Sequence, residues 1–272
     1  MTVFQSVILG IIQGITEFLP ISSSGHLVVV PFLFRWDIPP DEAFVFDVLV
    51  QVATLVAVLA YFWQDFYHIL RAMLHGIQRR QPLATQHARL GWYILLASIP
   101  AAIAGILLKD ILERAFSNPI MTSIALFGTA ILLVIAEQVG ARSRKLENLT
   151  WQDALIIGLF QILALFPGLS RSGSTISGAM TRNFNRPTAA RFSFLMAVPI
   201  MLAAGLLATI DLLTIPNLGD ILPVFIPGFI ASAVVGYLAI GWLISFLNRY
   251  SLYYFAAYCT LIAAATLLIA VF

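Results

Sequence analysis

Six long apolar runs constrain this chain more than any other feature of its sequence. A helix that crosses a bilayer needs about 20 consecutive, mainly apolar residues. Only 10% of the residues are charged, against about 25% in an ordinary soluble domain. The sequence therefore predicts an all-α integral membrane protein, a single membrane domain over residues 1–272. The six predicted transmembrane helices lie at Phe44–Trp63, Leu90–Leu108, Pro119–Glu137, 188–210, 221–246 and 251–272.

A polar stretch, Gln13–His26, interrupts the apolar N-terminal region. The apolar segments on its two sides, residues 3–12 and Leu27–Phe34, are each too short to cross a bilayer. Pro20 lacks an N–H donor and should end the first helix. The run Ser22-Ser23-Ser24-Gly25 offers an N-cap for a second helix, which we expect to begin near His26. Broken helices are tolerated in membranes only where they line a cavity, so this stretch predicts a re-entrant helix pair.

The same arrangement recurs in the second half of the chain. Ala154–Phe166 is a short apolar segment, residues 167–175 are polar, and a short segment continues to Met180. We therefore predict two re-entrant pairs in halves of roughly 1–138 and 139–272, related by an inverted-topology repeat. Paired interruptions of this kind indicate a site at the middle of the membrane. A shift of 148 residues aligns Gly10 with Gly158, Gln13 with Gln161, Phe18 with Phe166, Ser22 with Ser170, Ser24 with Ser172 and Gly25 with Gly173.

The distribution of basic residues predicts the orientation. Cytoplasmic loops of membrane proteins carry an excess of Lys and Arg. Four segments on one predicted side hold eleven of the 15 basic residues, and these are Gln64–Arg89, Gly140–Trp151, Thr181–Arg191 and Asn248–Ser251. The opposite side holds only Arg35 and two residues of the amphipathic connection Lys109–Asn118, namely Lys109 and Arg114. The basic side is therefore predicted to be cytoplasmic. Gln64–Arg89 is then a polar cytoplasmic loop with solvated histidines.

Charged residues occur at both interruptions, where a charge at membrane depth costs roughly 2.5–3.5 kcal/mol and usually has a function. Arg171 is flanked by Ser170, Ser172, Gly173 and Ser174. A guanidinium offers a planar fork for phosphate oxygens, and a helix that starts near Ser174 would add partial positive charge. The stretch therefore predicts an oxyanion cradle. A plain ion pair with Glu17 is the alternative.

The first interruption holds the candidate acid–base groups. Gln13 and Glu17 lie four residues apart and share one helix face. Glu17 could be a metal ligand, a general base or the group that orients His26, and His26 could be a proton donor, base, nucleophile or metal ligand. The alternatives are a polar pair that holds helices together and a structural histidine. Among Ser22, Ser23 and Ser24 at least one is expected to be a helix cap, and spacing does not identify a nucleophile.

These two stretches resemble the signatures of a known family. Glu17-Phe-Leu-Pro-Ile-Ser-Ser-Ser-Gly-His26, preceded by Gln13, is similar to the first motif of the undecaprenyl-diphosphate phosphatases, the bacitracin-resistance phosphatases. Residues 167–175, Pro-Gly-Leu-Ser-Arg-Ser-Gly-Ser-Thr, resemble the second motif. Position 13 is Gln, an alternative that the family pattern allows. A mechanism that needs two carboxylates there is therefore doubtful for this chain.

The resemblance implies an activity and roles for these residues. It implies hydrolysis of a C55 polyprenyl diphosphate to the monophosphate and inorganic phosphate, which recycles a lipid carrier for cell-wall synthesis. The site would open to the outer face of a bacterial inner membrane. Ser23 would be the nucleophile, with Glu17 and His26 as acid–base partners and Arg171 on the phosphates. Glu17 would also hold a divalent cation, Mg²⁺ or Ca²⁺. The further substrate contacts would be Gln13, Ser22, Ser24, Ser170, Ser172, Ser174 and Thr175.

A transporter or flippase for an anionic substrate is the alternative function. Inverted repeats with re-entrant helices are also the plan of secondary transporters, but a transporter would not need a Ser/Glu/His cluster. The expected partners are the polyprenyl diphosphate and the lipid bilayer, and a homodimer is one possible assembly. The formal charge of +2 is too small to indicate a nucleic-acid partner, and the single cysteine, Cys259, excludes an intramolecular disulfide.

Overall fold

The fold is helical throughout the part of the chain that the computed structural model describes, which is residues 1–108, 119–212 and 218–271. The predicted connection Lys109–Asn118 lies outside the described residues. Eleven α-helices lie within those three stretches. They are α1 Val3–Phe18, α2 Ser23–Leu33, α3 Pro40–Tyr61, α4 Trp63–Gln78, α5 Gln86–Leu107, α6 Pro119–Gln138, α7 Trp151–Leu163, α8 Arg171–Thr181, α9 Arg186–Leu212, α10 Leu218–Leu247 and α11 Tyr253–Val271.

All six predicted membrane spans are confirmed as helices that are long and apolar enough to cross a bilayer, namely α3, α5, α6, α9, α10 and α11. Several helices begin before the apolar run that predicted them. Helix α3 starts at Pro40, with a proline at its first position, which suits a helix start because that N–H has no intrahelical partner. Helix α5 starts at Gln86, where the Thr85 side chain accepts a hydrogen bond from the Ala88 N–H. The apolar run thus marks the part of a helix that can cross the membrane, and the capping residue marks where the helix begins.

The prediction that Gln64–Arg89 is a loop was wrong for its first half, which forms α4. Its apolar residues recur three or four positions apart and therefore share one face. Ile69 on α4 is buried and its methyl lies where α4 meets Gly91 of α5. The rest of the same apolar face is exposed, with the side chains of Trp63, Tyr67, Leu70, Leu74 and Ile77.

The first short helix of each half, α1 and α7, is held in place by close backbone contacts at a glycine. A methyl group added to Gly10 on α1 would lie 2.2 Å from the carbonyl oxygen of Gly228 on α10. A methyl group added to Gly158 on α7 would lie 2.4 Å from the carbonyl oxygen of Ala97 on α5. Only glycine permits these approaches, as is common where helices pack in membranes. Helices α1 and α7 are therefore fixed against long spans, so the residues at their ends are rigidly positioned.

A buried carboxylate ties together the connections at the basic end of the bundle. Asp153 on α7 is fully buried. It accepts hydrogen bonds from Arg144 at 3.0 and 2.6 Å and from Arg182 at 2.8 Å. Burial alone would raise the pKa of the Asp153 carboxyl, but hydrogen bonds from Arg144, Thr150 and Arg182 more than offset this and hold the pKa below its usual range.

Candidate active site

The first interruption is a sharp turn between α1 and α2. Helix α1 ends at Phe18, two residues before Pro20, as predicted. Helix α2 begins at Ser23, three residues earlier than the predicted start near His26. Ser22 is the N-cap: its backbone has a φ of 68° and its hydroxyl accepts a hydrogen bond from the Gly25 N–H at 3.3 Å. The first serine of the triplet is thus the cap, and Ser23 stands at the first position of the helix.

The second interruption is built in the same way. Helix α8 begins at Arg171, not near Ser174 as predicted, because Ser170 is its N-cap and accepts from the Gly173 N–H at 3.0 Å. Gly168 makes the turn before it with a φ of 95°, a conformation that favours glycine. A methyl group there would also lie 2.3 Å from the carbonyl oxygen of Thr122. Arg171 is therefore held at the first position of α8.

The two interruptions contact each other. The Ser172 hydroxyl donates a hydrogen bond to the carbonyl oxygen of Leu19 at 3.0 Å. A methyl group on Gly25 would lie 3.3 Å from the Cα of Gly168. These contacts bring two motifs that are about half the chain apart into one site, as the sequence predicted.

Glu17 is the centre of this site. Its Oε1 accepts a hydrogen bond from an Arg171 Nη at 2.8 Å, and its Oε2 accepts from the Ser23 hydroxyl at 2.6 Å and from the Gln13 amide at 3.0 Å. A carboxylate that accepts a serine proton at this distance meets the geometric requirement for a nucleophile and its general base. The Glu17–Arg171 ion pair, the alternative to an oxyanion cradle, is present, and the same carboxylate also bonds to the Ser23 hydroxyl.

The site retains unused hydrogen-bonding capacity. The second terminal nitrogen of Arg171 and the amide oxygen of Gln13 are buried and have no partner among the described residues. The side chains of Arg171 and Glu17 stay 17% and 10% exposed. Unpaired buried polar groups cost about 1–3 kcal/mol each. We therefore interpret them as groups that bind a ligand.

His26 lies beside the serine cluster but makes no hydrogen bond to Ser23 or Glu17. Its Nδ1 lies 2.7 Å from the carbonyl oxygen of Ser22, and its Nε2 lies 2.8 Å from the hydroxyl of Tyr258. A carbonyl oxygen can only accept, so Nδ1 carries a proton, and in the neutral form of the ring Nε2 accepts from the Tyr258 hydroxyl. The two rings also stack, with centroids 5.6 Å apart. Sequence analysis missed Tyr258 because α11 has no motif around it.

Most of the other predicted substrate contacts have partners within the protein. The hydroxyls of Ser22 and Ser24 are 3.4 Å apart, and those of Ser170 and Ser172 are 3.2 Å apart. The Thr175 hydroxyl bonds to the Ser193 hydroxyl at 2.6 Å and donates to the Arg171 carbonyl at 2.8 Å. Ser174 is buried, and its hydroxyl has no partner among the described residues. These residues shape the site, and a direct contact from any of them to phosphate stays a prediction.

The residues present fit a divalent cation only if the substrate supplies further ligands. The described residues contain no cluster of three or more His, Cys, Asp or Glu side chains. Glu17 is accompanied by the amide oxygen of Gln13, which has no partner within the described part of the chain. Mg²⁺ is usually held by one or two carboxylates together with substrate phosphates and water. Glu17 and Gln13 therefore form an adequate donor set beside a diphosphate, and the cation stays a prediction.

The fold and the site define the class of protein: a helical, multi-pass membrane protein with a serine–carboxylate–arginine site between two broken helices. The chain belongs to the family described as Bacitracin resistance protein BacA, whose sequence profile matches residues 6–265. The undecaprenyl-diphosphatase of Thermomicrobium roseum is 42% identical over 279 residues, which cover 100% of this chain and 99% of that protein. The undecaprenyl-diphosphatase of Moorella thermoacetica is 43% identical over 272 residues, 100% of this chain and 98% of that protein.

Proposed function

We propose that this protein is a membrane-embedded phosphatase that hydrolyses undecaprenyl diphosphate to undecaprenyl phosphate and inorganic phosphate. The observation that carries the proposal is the contact of Glu17 with both the Ser23 hydroxyl and the Arg171 guanidinium. The proposed nucleophile, base and phosphate-binding group thus belong to one hydrogen-bonded unit, which supports the proposal. The names of the full-length relatives support the substrate.

The proposed reaction has two steps at the terminal phosphorus. Glu17 accepts the proton of Ser23 while the Ser23 oxygen forms a bond to phosphorus, and the bridging P–O bond breaks to release undecaprenyl phosphate. Water then attacks the phosphoserine, which releases inorganic phosphate and restores the hydroxyl. Having passed the Ser23 proton to the departing undecaprenyl phosphate, Glu17 takes a proton from that water and returns it to the Ser23 oxygen as its bond to phosphorus breaks. Direct attack by water and attack by His26 are the two other routes, and His26 is less well placed because both its nitrogens have partners.

Arg171 is proposed to bind the diphosphate. Phosphoryl transfer depends mainly on positioning and on neutralising charge. When substrate binds, the unpaired Arg171 nitrogen can contact a phosphate oxygen while the other nitrogen keeps its bond to Glu17. The start of α8 adds partial positive charge at the same place. Arg171 therefore recognises the phosphate and also orients the base.

A divalent cation, Mg²⁺ or Ca²⁺, is proposed to be held by Glu17 with Gln13. Such an ion would supply charge neutralisation to the diphosphate. The unpartnered amide oxygen of Gln13 supports this assignment. Isothermal titration of the cation into the Gln13→Ala variant and into the unmodified protein, each saturated with a non-hydrolysable analogue of the diphosphate, tests it without reference to turnover. Equal affinity in the two proteins would contradict a role for Gln13.

The two halves are proposed to form an inverted-topology repeat with two re-entrant pairs. The packing supports this, because α1 of the first half packs on α10 of the second, and α7 of the second packs on α5 of the first. The shared capping pattern of Ser22 and Ser170 supports it as well. With the basic end cytoplasmic, the site opens to the outer face of the inner membrane. A homodimer in the bilayer stays a prediction.

Phosphate release by the purified protein in detergent tests the proposal. Undecaprenyl diphosphate is supplied in detergent micelles, so that no gradient exists to support transport. We expect release of one phosphate per lipid, which a chelator suppresses if the cation is required. A protein that binds the lipid but releases no phosphate with either Mg²⁺ or Ca²⁺ would refute the phosphatase and favour the transporter or flippase.

A further inference from the structure

A second polar cleft of about 630 Å³ lies at the basic end of the bundle. It is formed by the α6–α7 connection, the start of α9 and the end of α10. None of its lining residues belongs to the Glu17–Arg171 site. Helix α8 has 11 residues and is about 16 Å long at 1.5 Å per residue. Arg171 stands at its start, and its end leads into the connection beside the cleft. The cleft is therefore a separate feature that the proposed hydrolysis does not use.

The walls of the cleft carry more positive than negative charge. Four basic side chains line it, and Glu147 is the only acidic one among its described lining residues. Arg191 is neutralised by Asp65 at 2.5 Å. The four basic residues are Arg142, Lys145, Arg186 and Arg191.

Two of these cations share a single carboxylate. Glu137 accepts two hydrogen bonds from Arg186, at 2.7 and 2.6 Å, and its Oε2 also lies 3.0 Å from an Arg142 nitrogen. The Nε of Arg142 is buried and has no partner among the described residues. Lys145 is in no ion pair with a described carboxylate. With Glu137, Glu147 and Asp65 counted, one positive charge remains, which suits a monoanion.

The rest of the cleft suits the glycerol and upper acyl region of a lipid. Ile244 and Leu247 on α10 and Leu146 form its apolar wall. Exposed aromatic residues follow along the same end of the bundle, with Trp242, Tyr250 and Tyr254 exposed by 51%, 48% and 60%. Trp and Tyr mark the interface between membrane and water. The cleft is therefore at headgroup level, with its basic residues on the polar side.

We propose that this cleft binds the phosphate of an anionic membrane phospholipid from the cytoplasmic leaflet. Basic pockets between transmembrane helices on the cytoplasmic side suit anionic headgroups. Arg142 and Lys145 contact the phosphodiester, and the acyl chains lie along Ile244 and Leu146. The inference does not depend on the phosphatase activity. A soluble phosphate ion shares the same chemistry, and the experiment distinguishes the two sources.

Native mass spectrometry of the delipidated protein, titrated with dioleoyl phosphatidylglycerol or dioleoyl phosphatidylcholine, tests the proposal. We expect the first molecule of phosphatidylglycerol to bind more tightly than the first molecule of phosphatidylcholine. Lys145→Gln should weaken it about fivefold, the effect typical of one basic residue at an anionic membrane surface. Glu147→Gln removes the acidic residue of the wall and should strengthen binding. The matched control is Arg71→Gln, which removes one exposed positive charge outside the cleft and should leave binding unchanged.

Three results would overturn the proposal. The first is equal binding of the two lipids, and the second is an equal loss in Lys145→Gln and Arg71→Gln, which would indicate a general effect of surface charge. The third is displacement of the first phosphatidylglycerol by inorganic phosphate at equal concentration, which would assign the cleft to a soluble anion. Lys145 and Glu147 are exposed, so both variants should fold. Their thermal unfolding is recorded beside the binding curves.

Discussion

Two sites in this protein pair a carboxylate with arginine. They differ in how many of their polar atoms have hydrogen-bond partners. At the basic end, Asp153 accepts five hydrogen bonds, which come from Arg144, Arg182 and Thr150. At the interruptions, Glu17 is bonded to Arg171, Ser23 and Gln13, while one Arg171 nitrogen and the Gln13 amide oxygen have no partner among the described residues.

This difference separates a structural ion pair from a functional one. A saturated, fully buried carboxylate has no capacity left for a ligand, so Asp153 can only hold helices together. An unsaturated pair that remains partly exposed costs folding free energy, and substrate can recover that cost. Changes at Glu17 and Arg171 should therefore reduce turnover in a folded protein, whereas changes at Asp153 should reduce stability.

The largest effect on turnover is expected from Glu17→Gln. The variant keeps the shape of the side chain but cannot accept the Ser23 proton. Loss of a general base typically costs 10²–10⁴-fold, and we expect a fall on the order of 10³-fold. Phosphate release under saturating lipid measures it. Glu147→Gln is the matched control and should retain normal turnover, so near-normal activity in Glu17→Gln would remove Glu17 from the base role.

Arg171→Lys should have the next largest effect. Lysine keeps the charge but cannot contact Glu17 and a phosphate oxygen together through one planar group. We expect turnover to fall by about 10²-fold, the cost of one donor to a developing charge. Arg191→Lys, in an exposed ion pair with Asp65, is the control. If both variants turn over like the unmodified protein, only the charge of Arg171 matters.

Asp153→Asn should have the opposite effect to changes at Glu17 and Arg171, because it should reduce stability and leave turnover unchanged. Loss of one partner of a buried ion pair costs about 3–5 kcal/mol, so the melting temperature should fall while turnover per folded molecule stays normal. Because the folded pKa of Asp153 is lowered, its stabilisation is present above its unfolded pKa of about 3.9 and is lost as the pH falls further. Loss of turnover at an unchanged melting temperature would refute the structural role.

The smallest effect is expected from Tyr258→Phe. It removes the hydroxyl at 2.8 Å from His26 Nε2, a hydrogen bond worth about 1 kcal/mol. If His26 assists a proton transfer, turnover should fall about fivefold, the factor that corresponds to 1 kcal/mol, and its pH dependence should shift. Tyr254→Phe, one turn away and exposed, is the control. An unchanged pH profile with unchanged turnover would assign His26 a structural role.

Much of the fold and the contacts of the site followed from local sequence. Apolar run length predicted six spans, and Pro20 predicted the end of α1. Each of the three adjacent serines can act as an N-cap, so the sequence did not show that α2 begins at Ser23. The His26–Tyr258 contact joins residues 232 positions apart, and no local pattern encodes it. Helix α4 was missed because its charged residues masked an apolar face.

The most direct test of the central claim is the fate of the Ser23 oxygen. We propose rapid-quench reactions with undecaprenyl diphosphate labelled in its terminal phosphate, on the unmodified protein, Ser23→Ala and the control Ser24→Ala. The account predicts that Ser23→Ala loses turnover on the order of 10³-fold along with any acid-stable phosphoprotein, while Ser24→Ala keeps most of its turnover. Substantial phosphate release by Ser23→Ala would contradict it. Release without an adduct would favour direct attack by water, and an acid-labile adduct would favour His26.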